Sequence, residues 1–418
     1  MRHVVITGMG IIGPIGTGVA DFWRAVIEGK SGIGRITRFD ATSYACQIAG
    51  EVRDCSYEEV LDPRKLRTTT HATQLALAAT EFALRDARLP RTFYEPALVG
   101  VSLGTSLGGW RDSERQYGVL LERGAGRVNP FIANGSPPYT PGVEVASALG
   151  AQGVQMTVST GCTSSLEAIA HGARLIARDG MEMCVVGGTE SPLSPLVVAG
   201  MIRTRELCTS NDDPEHACRP FDRRHAGLVL SEGSCILVLE SAERATRRGA
   251  TVYAEILGSG SSCDACGVYA TDSSGQIGAR AIHTALKNSG LGPADVDYVC
   301  SHANSSPTFD RKETRVIKAA FAEFAGRLPV SSIKAVLGHP FGASGAFQVA
   351  AAALAIRHQT IPPTHNLEEA DPECDLDYVP GEARAAAIRA ALVSSYGYGG
   401  LNAYLVLAGP STAGLAAT

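Results

Sequence analysis

The sequence predicts an α/β fold, because apolar runs typical of strands alternate with longer stretches typical of helices. Its 418 residues are 45% apolar and 19% charged, a composition typical of a globular protein with a large core. The alternation restarts near Gly258, in a stretch rich in glycine and serine. We therefore expect two similar α/β halves, residues 1–257 and residues 258–418.

The individual elements are predicted from apolar runs and from the turn residues that flank them. Residues 1–8 indicate a first strand, which Gly8 and Gly10 should end. Apolar runs of strand length predict further strands at residues 97–103, 154–158, 183–186, 234–239, 252–257 and 296–300. Stretches of helical pattern predict helices at residues 71–87, 164–178, 276–288, 313–325 and 345–357.

Net charge, run lengths and cysteine usage exclude several classes of protein. The formal net charge of −5 indicates no affinity for nucleic acid or for an anionic membrane. No run approaches the roughly 18 apolar residues of a membrane span, and glycines interrupt the N-terminal run before it could form a signal peptide. Eleven scattered cysteines favour a reducing cytoplasm. The isolated pair Cys263 and Cys266 lacks two further ligands, so we expect a loop and no metal site there.

The most informative segment is residues 158–165, where a glycine and a cysteine stand between a β-type run and a helical stretch. This pattern places Cys162 at the start of a helix. Unpaired backbone N–H groups and the helix dipole favour an anion there, so we expect a stabilised thiolate, which is a nucleophile. The alternative, a small cysteine buried in the core, stays open on this segment alone.

Two histidine motifs downstream favour the nucleophile. His302 follows a β-type run, and Asp310 and Glu313 come shortly after it. His339 follows a turn of small residues, with Lys334 five positions before it. A lone histidine is usually structural, but a nucleophile-like cysteine with two such motifs is a more specific pattern.

The order of Cys162, His302 and His339, together with their flanking residues, resembles that of the β-ketoacyl-ACP synthases, which condense acyl chains. The resemblance extends from VVITGMG at residues 4–10 to SYGYGGLN at residues 395–402. The ketosynthase-α subunits of bacterial type II aromatic polyketide synthases are the most similar group. The segments that carry this similarity are residues 159–164, 211–217 and 371–380.

This resemblance implies the thiolase fold, in which two duplicated halves pack into a five-layer αβαβα sandwich. The N-terminal half would carry the nucleophilic cysteine, and the C-terminal half would carry both histidines and a glycine-rich gate loop. The implied activity is that of an acyltransferase of the β-ketoacyl-ACP synthase type. We expect an acyl chain to be loaded on Cys162 and extended by decarboxylative Claisen condensation with malonyl-ACP, in polyketide or antibiotic biosynthesis.

The resemblance also implies a role for each matching residue. Cys162 would be the nucleophile, and its backbone N–H would form an oxyanion hole with that of Tyr398. His302 and His339 would donate through Nε2 to the enolate that forms as malonyl loses CO₂. Lys334 would orient His302 electrostatically. The supporting residues would be Gly397 and Gly399 in the gate, Glu313 as a partner of Lys334, and Asp310.

Three segments depart from the usual family pattern. The usual His-Gly-Thr-Gly/Ser-Thr becomes His-Ala-Asn-Ser-Ser, so Asn304 and Ser306 would meet the pantetheine arm in place of two threonines. The usual Arg-Asp-Gly-Phe begins with His225 and ends with Leu228, which implies the loss of an ion pair and of an aromatic wall; Leu228 would line the acyl pocket. The usual gate phenylalanine is Tyr398, whose hydroxyl needs a partner when buried. We interpret these changes as altered substrate handling.

The resemblance implies two protein partners. An acyl carrier protein would bring its phosphopantetheine arm to the site, and no bound cofactor is expected. A chain-length factor homologue would form a heterodimer with this chain. A fatty-acid-type 3-oxoacyl-ACP synthase II homodimer stays an alternative, as does a ketosynthase-like acyltransferase that does not decarboxylate malonyl. A non-catalytic scaffold subunit is disfavoured because Cys162, His302 and His339 are all retained.

Overall fold

The computed structural model describes residues 2–53, 55 and 59–410. The remaining residues of the two predicted halves lie outside the described ranges. Most of the strands belong to one large mixed sheet. In chain order the strands are β1 (Val4–Gly13), β2 (Gly16–Thr17), β3 (Ile33–Arg35), β4 (Ile48–Gly50), β5 (Val99–Gly104), β6 (Gln155–Val158), β7 (Met183–Glu190), β8 (Gly233–Ser241), β9 (Ala254–Cys263), β10 (Tyr298–Cys300), β11 (Val330–Ser331), β12 (Thr360–Ile361), β13 (Arg384–Ala385), β14 (Ala390–Gly397) and β15 (Leu401–Ala408).

Several helices begin at a side chain that caps the first turn. Asp62, Ser194 and Ser241 each accept a hydrogen bond from a backbone N–H of the helix that follows them. In chain order the helices are α1 (Val19–Glu28), α2 (Pro63–Thr68), α3 (His71–Ala87), α4 (Trp110–Arg123), α5 (Ile132–Gly135), α6 (Thr140–Leu149), α7 (Ser164–Arg178), α8 (Pro195–Arg203), α9 (Ala242–Arg247), α10 (Gln276–Ser289), α11 (Pro307–Phe321), α12 (Lys334–Leu337) and α13 (Ser344–His358). No helix in the described ranges is long and apolar enough to span a membrane.

The large sheet consists of two halves with the same internal order. From edge to edge the strands run β11, β10, β14, β15, β9, β1, β8, β7, β5 and β6, with β2 paired to β1. Each half contributes five of these ten strands. When the five are numbered in chain order, both halves follow the order 1-5-4-2-3 from the centre of the sheet to its edge. The two halves join where Val4 and Ile6 of β1 pair with Ile256 and Ala254 of β9. This repeated order confirms the predicted duplication.

The helices complete five layers. α7 and α13 form the middle layer, and each of them contacts strands of both halves. α3 and α6 pack on the other face of the N-terminal half, and α10, which packs against α11, covers the other face of the C-terminal half. In α13 every residue from Ser344 to Ile356 is buried, and the alanines at 350–353 allow this helix to lie close to both sheets. The αβαβα sandwich is therefore confirmed.

Glycines in β1 and β9 serve close packing and do not end these strands. A Cβ added at Gly10 would lie 1.8 Å from the Ala79 carbonyl oxygen of α3, and one at Gly260 would lie 2.2 Å from the Ala281 carbonyl oxygen of α10. The expectation that Gly8 and Gly10 end the first strand is wrong, because β1 continues to Gly13. The same device occurs at the start of each half, which is further evidence of duplication.

The predicted elements match the structure best where a helix has clear ends. The predicted helices at 71–87 and 164–178 coincide with α3 and α7. The predicted start of α11 at Glu313 is wrong: the helix begins at Pro307, since proline fits the first helical position. The boundary between residues 257 and 258 falls inside β9, and the division of the chain into domains at that point stays a prediction.

Candidate active site

Cys162 lies in a short turn between β6 and α7. Gly161–Thr163 form a 3₁₀ turn, in which Gly161 has a left-handed φ of 59° that glycine adopts without steric cost. Ser164 fixes the turn, because its Oγ donates to the Gly161 carbonyl at 2.5 Å and accepts from the Thr160 N–H at 2.9 Å. The predicted position of Cys162 at a strand-to-helix corner is confirmed.

The Cys162 thiol is buried, with 6% of the residue exposed. Burial raises the pKa of this thiol to about 12, and the Lys334 charge opposes this by less. The expectation of a stabilised thiolate is therefore wrong here, because the loss of hydration outweighs the favourable field at the helix start. The thiol must pass its proton to a neighbouring base as it reacts.

His339 is in contact with this thiol. Its Nε2 lies 3.2 Å from Cys162 Sγ. The backbone of His339 is fixed on both sides, since its N–H donates to the Val229 carbonyl at 2.7 Å and its carbonyl accepts from the Ser231 N–H at 3.1 Å. Burial, aided by the Lys334 charge, lowers the pKa of the His339 ring well below its usual value. A neutral ring at this distance can accept the thiol proton.

His302 lies next to His339, with ring centroids 5.2 Å apart and ring planes at 87°. Neither ring nitrogen of His302 has a hydrogen-bond partner within the described ranges, although both are buried. Burial, followed by the Lys334 charge, lowers the pKa of this ring well below its usual value. A neutral imidazole with a free N–H beside the nucleophile can donate to an oxygen of a bound substrate.

Lys334 and Glu313 hold the backbone of His302 from two sides. Lys334 Nζ donates to the His302 carbonyl at 2.6 Å, and Glu313 accepts from the N–H groups of His302 at 3.0 Å and Ala303 at 2.7 Å. Burial lowers the pKa of Lys334 and raises that of Glu313. Across the described chain these two side chains form no direct ion pair with each other, so the expected pairing is replaced by joint support of His302.

Two buried residues that the sequence analysis missed complete this network. Gln348 lies in the apolar middle of α13, where its Nε2 donates to the carbonyls of Ser301 at 2.7 Å and Ser394 at 2.8 Å. Its Oε1 accepts from Lys334 at 3.2 Å, and Ser394 Oγ donates to Glu313. The sequence signal for Gln348 was a polar amide within a run of alanines. Burial of such a group costs free energy unless it is hydrogen-bonded, so this pattern indicates buried hydrogen-bond partners.

The gate loop packs against the nucleophile turn. A Cβ added at Gly397 would lie only 3.4 Å from the Cys162 amide nitrogen. Gly399 has a φ of 87°, and its N–H donates to the Val268 carbonyl at 2.8 Å. Burial and the neighbouring Glu206 carboxylate raise the pKa of Tyr398, but the contact between the two side chains lacks normal hydrogen-bond geometry. The oxyanion-hole and gate roles stay predictions.

Asn304 and Ser306 lie in a buried loop between His302 and α11. The Asn304 side chain accepts from the Ser306 N–H at 3.1 Å, and Asp310 accepts from the Asn304 N–H at 3.0 Å. Ser306 Oγ donates to Glu206 at 3.5 Å. The role of this loop toward a pantetheine arm stays a prediction, while Asp310 is shown to support the loop's backbone.

The loop from His225 to Leu228 departs from the usual family pattern. His225 contacts two carboxylates, with Nδ1 at 3.0 Å from Asp310 and Nε2 at 3.0 Å from Asp371. The imidazole thus bridges two acidic side chains, and the expected loss of an ion pair stays a prediction. Leu228 is 1% exposed and belongs to the same apolar cluster as Cys162, and its place in the acyl-pocket wall stays a prediction.

The sheet order shows which corners of the two halves correspond. Cys162 follows β6, the third strand of its half, so its counterpart follows β11 and precedes α13. That counterpart is the 3₁₀ turn Phe341–Ala343, with Gly342 at the middle position. His302 does not occupy the position that corresponds to Cys162, since it follows the second strand of its half, β10.

The chain matches two family models in succession. Residues 1–245 match the Beta-ketoacyl synthase, N-terminal domain, and residues 253–368 match the Beta-ketoacyl synthase, C-terminal domain. The 3-oxoacyl-[acyl-carrier-protein] synthase 2 of Synechocystis sp. is 41% identical over 409 residues, which cover 97% of each chain. The actinorhodin polyketide putative beta-ketoacyl synthase 1 of Streptomyces coelicolor is 39% identical over 422 residues, covering 100% of this chain and 90% of that one.

Solved structures agree with this result. The ishigamide ketosynthase/chain length factor superposes with a TM-score of 0.91 at 31% identity, covering 98% of this chain and 100% of that one. A beta-ketoacyl synthase from Burkholderia phymatum gives the same TM-score, identity and coverage. The duplicated sandwich and its cysteine with two histidines define a condensing enzyme that acts as an acyltransferase. The chain belongs to the β-ketoacyl synthase family.

Proposed function

We propose that the protein is the ketosynthase subunit of a type II polyketide synthase, which extends an acyl chain held on Cys162. The contact of 3.2 Å between Cys162 Sγ and His339 Nε2 carries the proposal, together with the unpartnered ring of His302 beside it. The similarity to the actinorhodin synthase and to the ishigamide ketosynthase/chain length factor supports the polyketide assignment.

In the first step, an acyl thioester exchanges onto Cys162. The thiol proton passes to His339 Nε2 as Sγ attacks the acyl carbonyl. The phosphopantetheine arm leaves as a thiolate that takes up a proton from solvent, so His339 keeps the Nε2 proton for the second step. The backbone N–H groups of Cys162 and Tyr398 stabilise the oxyanion. One such donor contributes on the order of 10²–10³ in rate.

In the second step, the malonyl thioester of an acyl carrier protein binds beside both histidines. His302 and His339 donate N–H groups to the thioester oxygen while the bond to the carboxylate breaks, so CO₂ leaves and its electron pair stays in the enolate. The enolate carbon attacks the Cys162 thioester, a carbon–carbon bond forms, and Cys162 leaves as a thiolate that is reprotonated. Lys334 and Glu313 keep His302 in position throughout.

A homologous partner chain is proposed to cover an exposed face of the N-terminal half. β6 is an edge strand of the large sheet, and Val154 and Met156 are 39% and 41% exposed there. On the same half, α4 contributes Trp110 and Tyr117 to an apolar groove of about 650 Å³. Open strand edges and apolar patches are features that proteins normally cover. We propose that a chain-length factor homologue covers them, because the similar ishigamide structure is that of a ketosynthase/chain length factor.

A fatty-acid-type homodimer is the second candidate, and the 41% identity to a 3-oxoacyl-[acyl-carrier-protein] synthase 2 favours it. In that case the chain alone would form a stable dimer and elongate acyl chains whose keto groups are reduced between rounds. A plain acyltransferase is a third candidate, because Ala303 and Asn304 depart from the family pattern beside His302. That enzyme would acylate Cys162 without releasing CO₂.

Intact-protein mass spectrometry with acyl- and malonyl-carrier protein tests these candidates, with CO₂ followed in parallel. Wild type should gain an acyl group, release CO₂ and form an extended product once the chain-length factor homologue is added. Cys162→Ala should gain no acyl group, while the exposed Cys266→Ala control should behave as wild type. Extension of equal efficiency by the chain alone would favour the homodimer, and acylation without CO₂ in the presence of the homologue would favour the acyltransferase.

A further inference from the structure

The His225 ring is enclosed between two buried carboxylates. Its Nδ1 lies 3.0 Å from Asp310 Oδ2 and its Nε2 lies 3.0 Å from Asp371 Oδ2. The side chain of His225 is 2% exposed, and those of the two aspartates are 0% and 4% exposed. The proposed chemistry at Cys162 does not use this buried ring. Its contacts with two carboxylates therefore require a separate explanation.

The hydrogen bonds around the two aspartates show that both are ionised acceptors. Asp310 also accepts from the N–H groups of Asn304 and Phe221, one on each oxygen. Asp371 accepts from the Arg311 guanidinium on Oδ2 and from the Glu373 N–H on Oδ1. A carboxylate whose oxygens all accept has no proton to donate, so both ring nitrogens of His225 must be donors. Only the imidazolium form has two donors.

The charges packed around this ring come from three segments. Its own loop carries Asp222 and Arg224, which pair with each other. α11 contributes Asp310 and Arg311. The loop that follows β12 contributes Asp371 and Glu373, which both pair with Arg311. Among the residues that the structure describes, His225 is the side chain within ion-pair distance of Asp310, and breaking one side of a buried pair is strongly unfavourable.

This bridge supports the loop that lies beside the catalytic histidine. Asp310, held by His225, accepts from the Asn304 N–H at 3.0 Å. Two residues after His225, the Gly227 N–H donates to the Ser305 carbonyl at 2.9 Å. The next residue, Leu228, lies in the apolar cluster of Cys162. The charge on His225 therefore joins the predicted arm-binding loop to the wall of the acyl pocket.

We propose that His225 is a positioning residue, which joins Asp310 to Asp371 and so holds the Asn304–Ser306 loop for the pantetheine arm. This inference rests on the proposed role of that loop toward the carrier. Turnover of carrier-bound substrate then falls when the bridge between the two aspartates is broken. Acylation of Cys162 by a thioester of a short thiol, which does not use the arm, keeps its rate.

Two variants separate charge from shape. His225→Arg keeps the cation at every accessible pH and restores the residue usual in the family, whereas His225→Gln removes the charge. His225→Arg should keep kcat/KM for carrier-bound substrate within a few fold of wild type, whereas His225→Gln should lower it by about tenfold. His225→Gln should show a raised KM for the carrier at all pH values. His216→Gln, at an exposed histidine that pairs with Asp213, should follow the wild-type profile.

The protonation state is measured directly by long-range ¹H–¹⁵N spectra of histidine-labelled protein, in which the signals missing from His225→Arg identify this ring. Two protonated nitrogens near neutral pH, together with a raised KM for the carrier in His225→Gln, would support the proposal. A neutral tautomer near neutral pH, or a KM for the carrier that His225→Gln leaves unchanged, would overturn it. This readout needs no product, so failure of the proposed polyketide function would be seen separately, as absence of extension at every pH.

Discussion

The turn at Gly161–Thr163 and the turn at Phe341–Ala343 form corresponding corners of the two halves. They differ in the side chain that each corner presents. Each is a 3₁₀ turn that leads directly into a helix of 15 residues in the middle layer. Each begins with a positive φ, 59° at Gly161 and 34° at Phe341. The middle residue differs: the first corner presents the Cys162 thiol, whereas the second has no side chain at Gly342.

The packing of the two corners explains this difference. The Gly342 N–H donates to Glu190 at 3.0 Å, and a Cβ added at Gly342 would lie 2.5 Å from the Ser106 nitrogen. The two helices then interlock, since the Ala346 N–H of α13 donates to Ser165 Oγ of α7 at 3.0 Å. Duplication therefore supplies the geometry, but the first corner presents the Cys162 thiol, while the second half provides His302, His339 and Lys334 around it.

The largest expected effect comes from removing the charge that the second half supplies. Lys334→Ala should lower CO₂ release from malonyl-carrier protein by about 10²–10³, because His302 loses its support, while Cys162 acylation stays within a few fold. Both rates are measured in one assay, after a melting curve confirms folding. Lys30→Ala, at an exposed lysine, should leave both rates unchanged. Equal loss of acylation and CO₂ release would contradict the assigned role.

The same small substitution should have unequal effects in the two corners. Gly342→Ala should lower the free energy of unfolding by about 3 kcal/mol, because its Cβ meets backbone atoms and Glu190. Gly161→Ala meets no atom within 4 Å, so it should cost only about 1 kcal/mol from its left-handed φ. Denaturant unfolding of both variants gives the two values. The reverse order would mean that the second corner is not packed as tightly as described.

The thiol of the first corner should respond to pH in a way that reports its burial. Because the pKa of Cys162 is raised to about 12, the thiolate fraction still increases through the neutral and mildly alkaline range. Alkylation of Cys162 by iodoacetamide should therefore rise about tenfold per pH unit between about pH 7 and about pH 9. Lys334→Met should slow it further, since the Lys334 charge lowers this pKa. A rate that levels off near pH 7 would show that the thiolate is stabilised after all.

The smallest effect is expected at the gate that covers the first corner. Tyr398→Phe removes a hydroxyl that only approaches Glu206, so the free energy of unfolding should change by no more than about 0.5 kcal/mol. Cys162 acylation should persist, while the distribution of product chain lengths should change. Products are compared by mass spectrometry in the presence of the partner chain. An identical distribution would leave no special role for the hydroxyl.

Part of the site could be predicted from the sequence because its residues lie in distinctive local patterns. Cys162 stands between a strand and a helix, and Lys334 and His339 share one short motif, so these segments could be matched to a known family that implies their roles. Gln348 and Ser394 gave weaker signals, because their importance comes from carbonyl groups that are distant in the chain. The bridging role of His225 was missed for the same reason: its two partners lie 85 and 146 residues away.

The sequence by itself determined the α/β class, the duplication, and the extents of α3 and α7, which follow from periodicity and helix ends that act over a few residues. The predicted roles of Cys162, His302, His339 and Lys334 came from motifs that resemble those of a known family. Only the tertiary structure decided which corners correspond, that the Cys162 thiol is buried against His339, and that His225 joins two carboxylates. Those properties depend on sheet order, burial and contacts between distant segments, which local patterns do not encode.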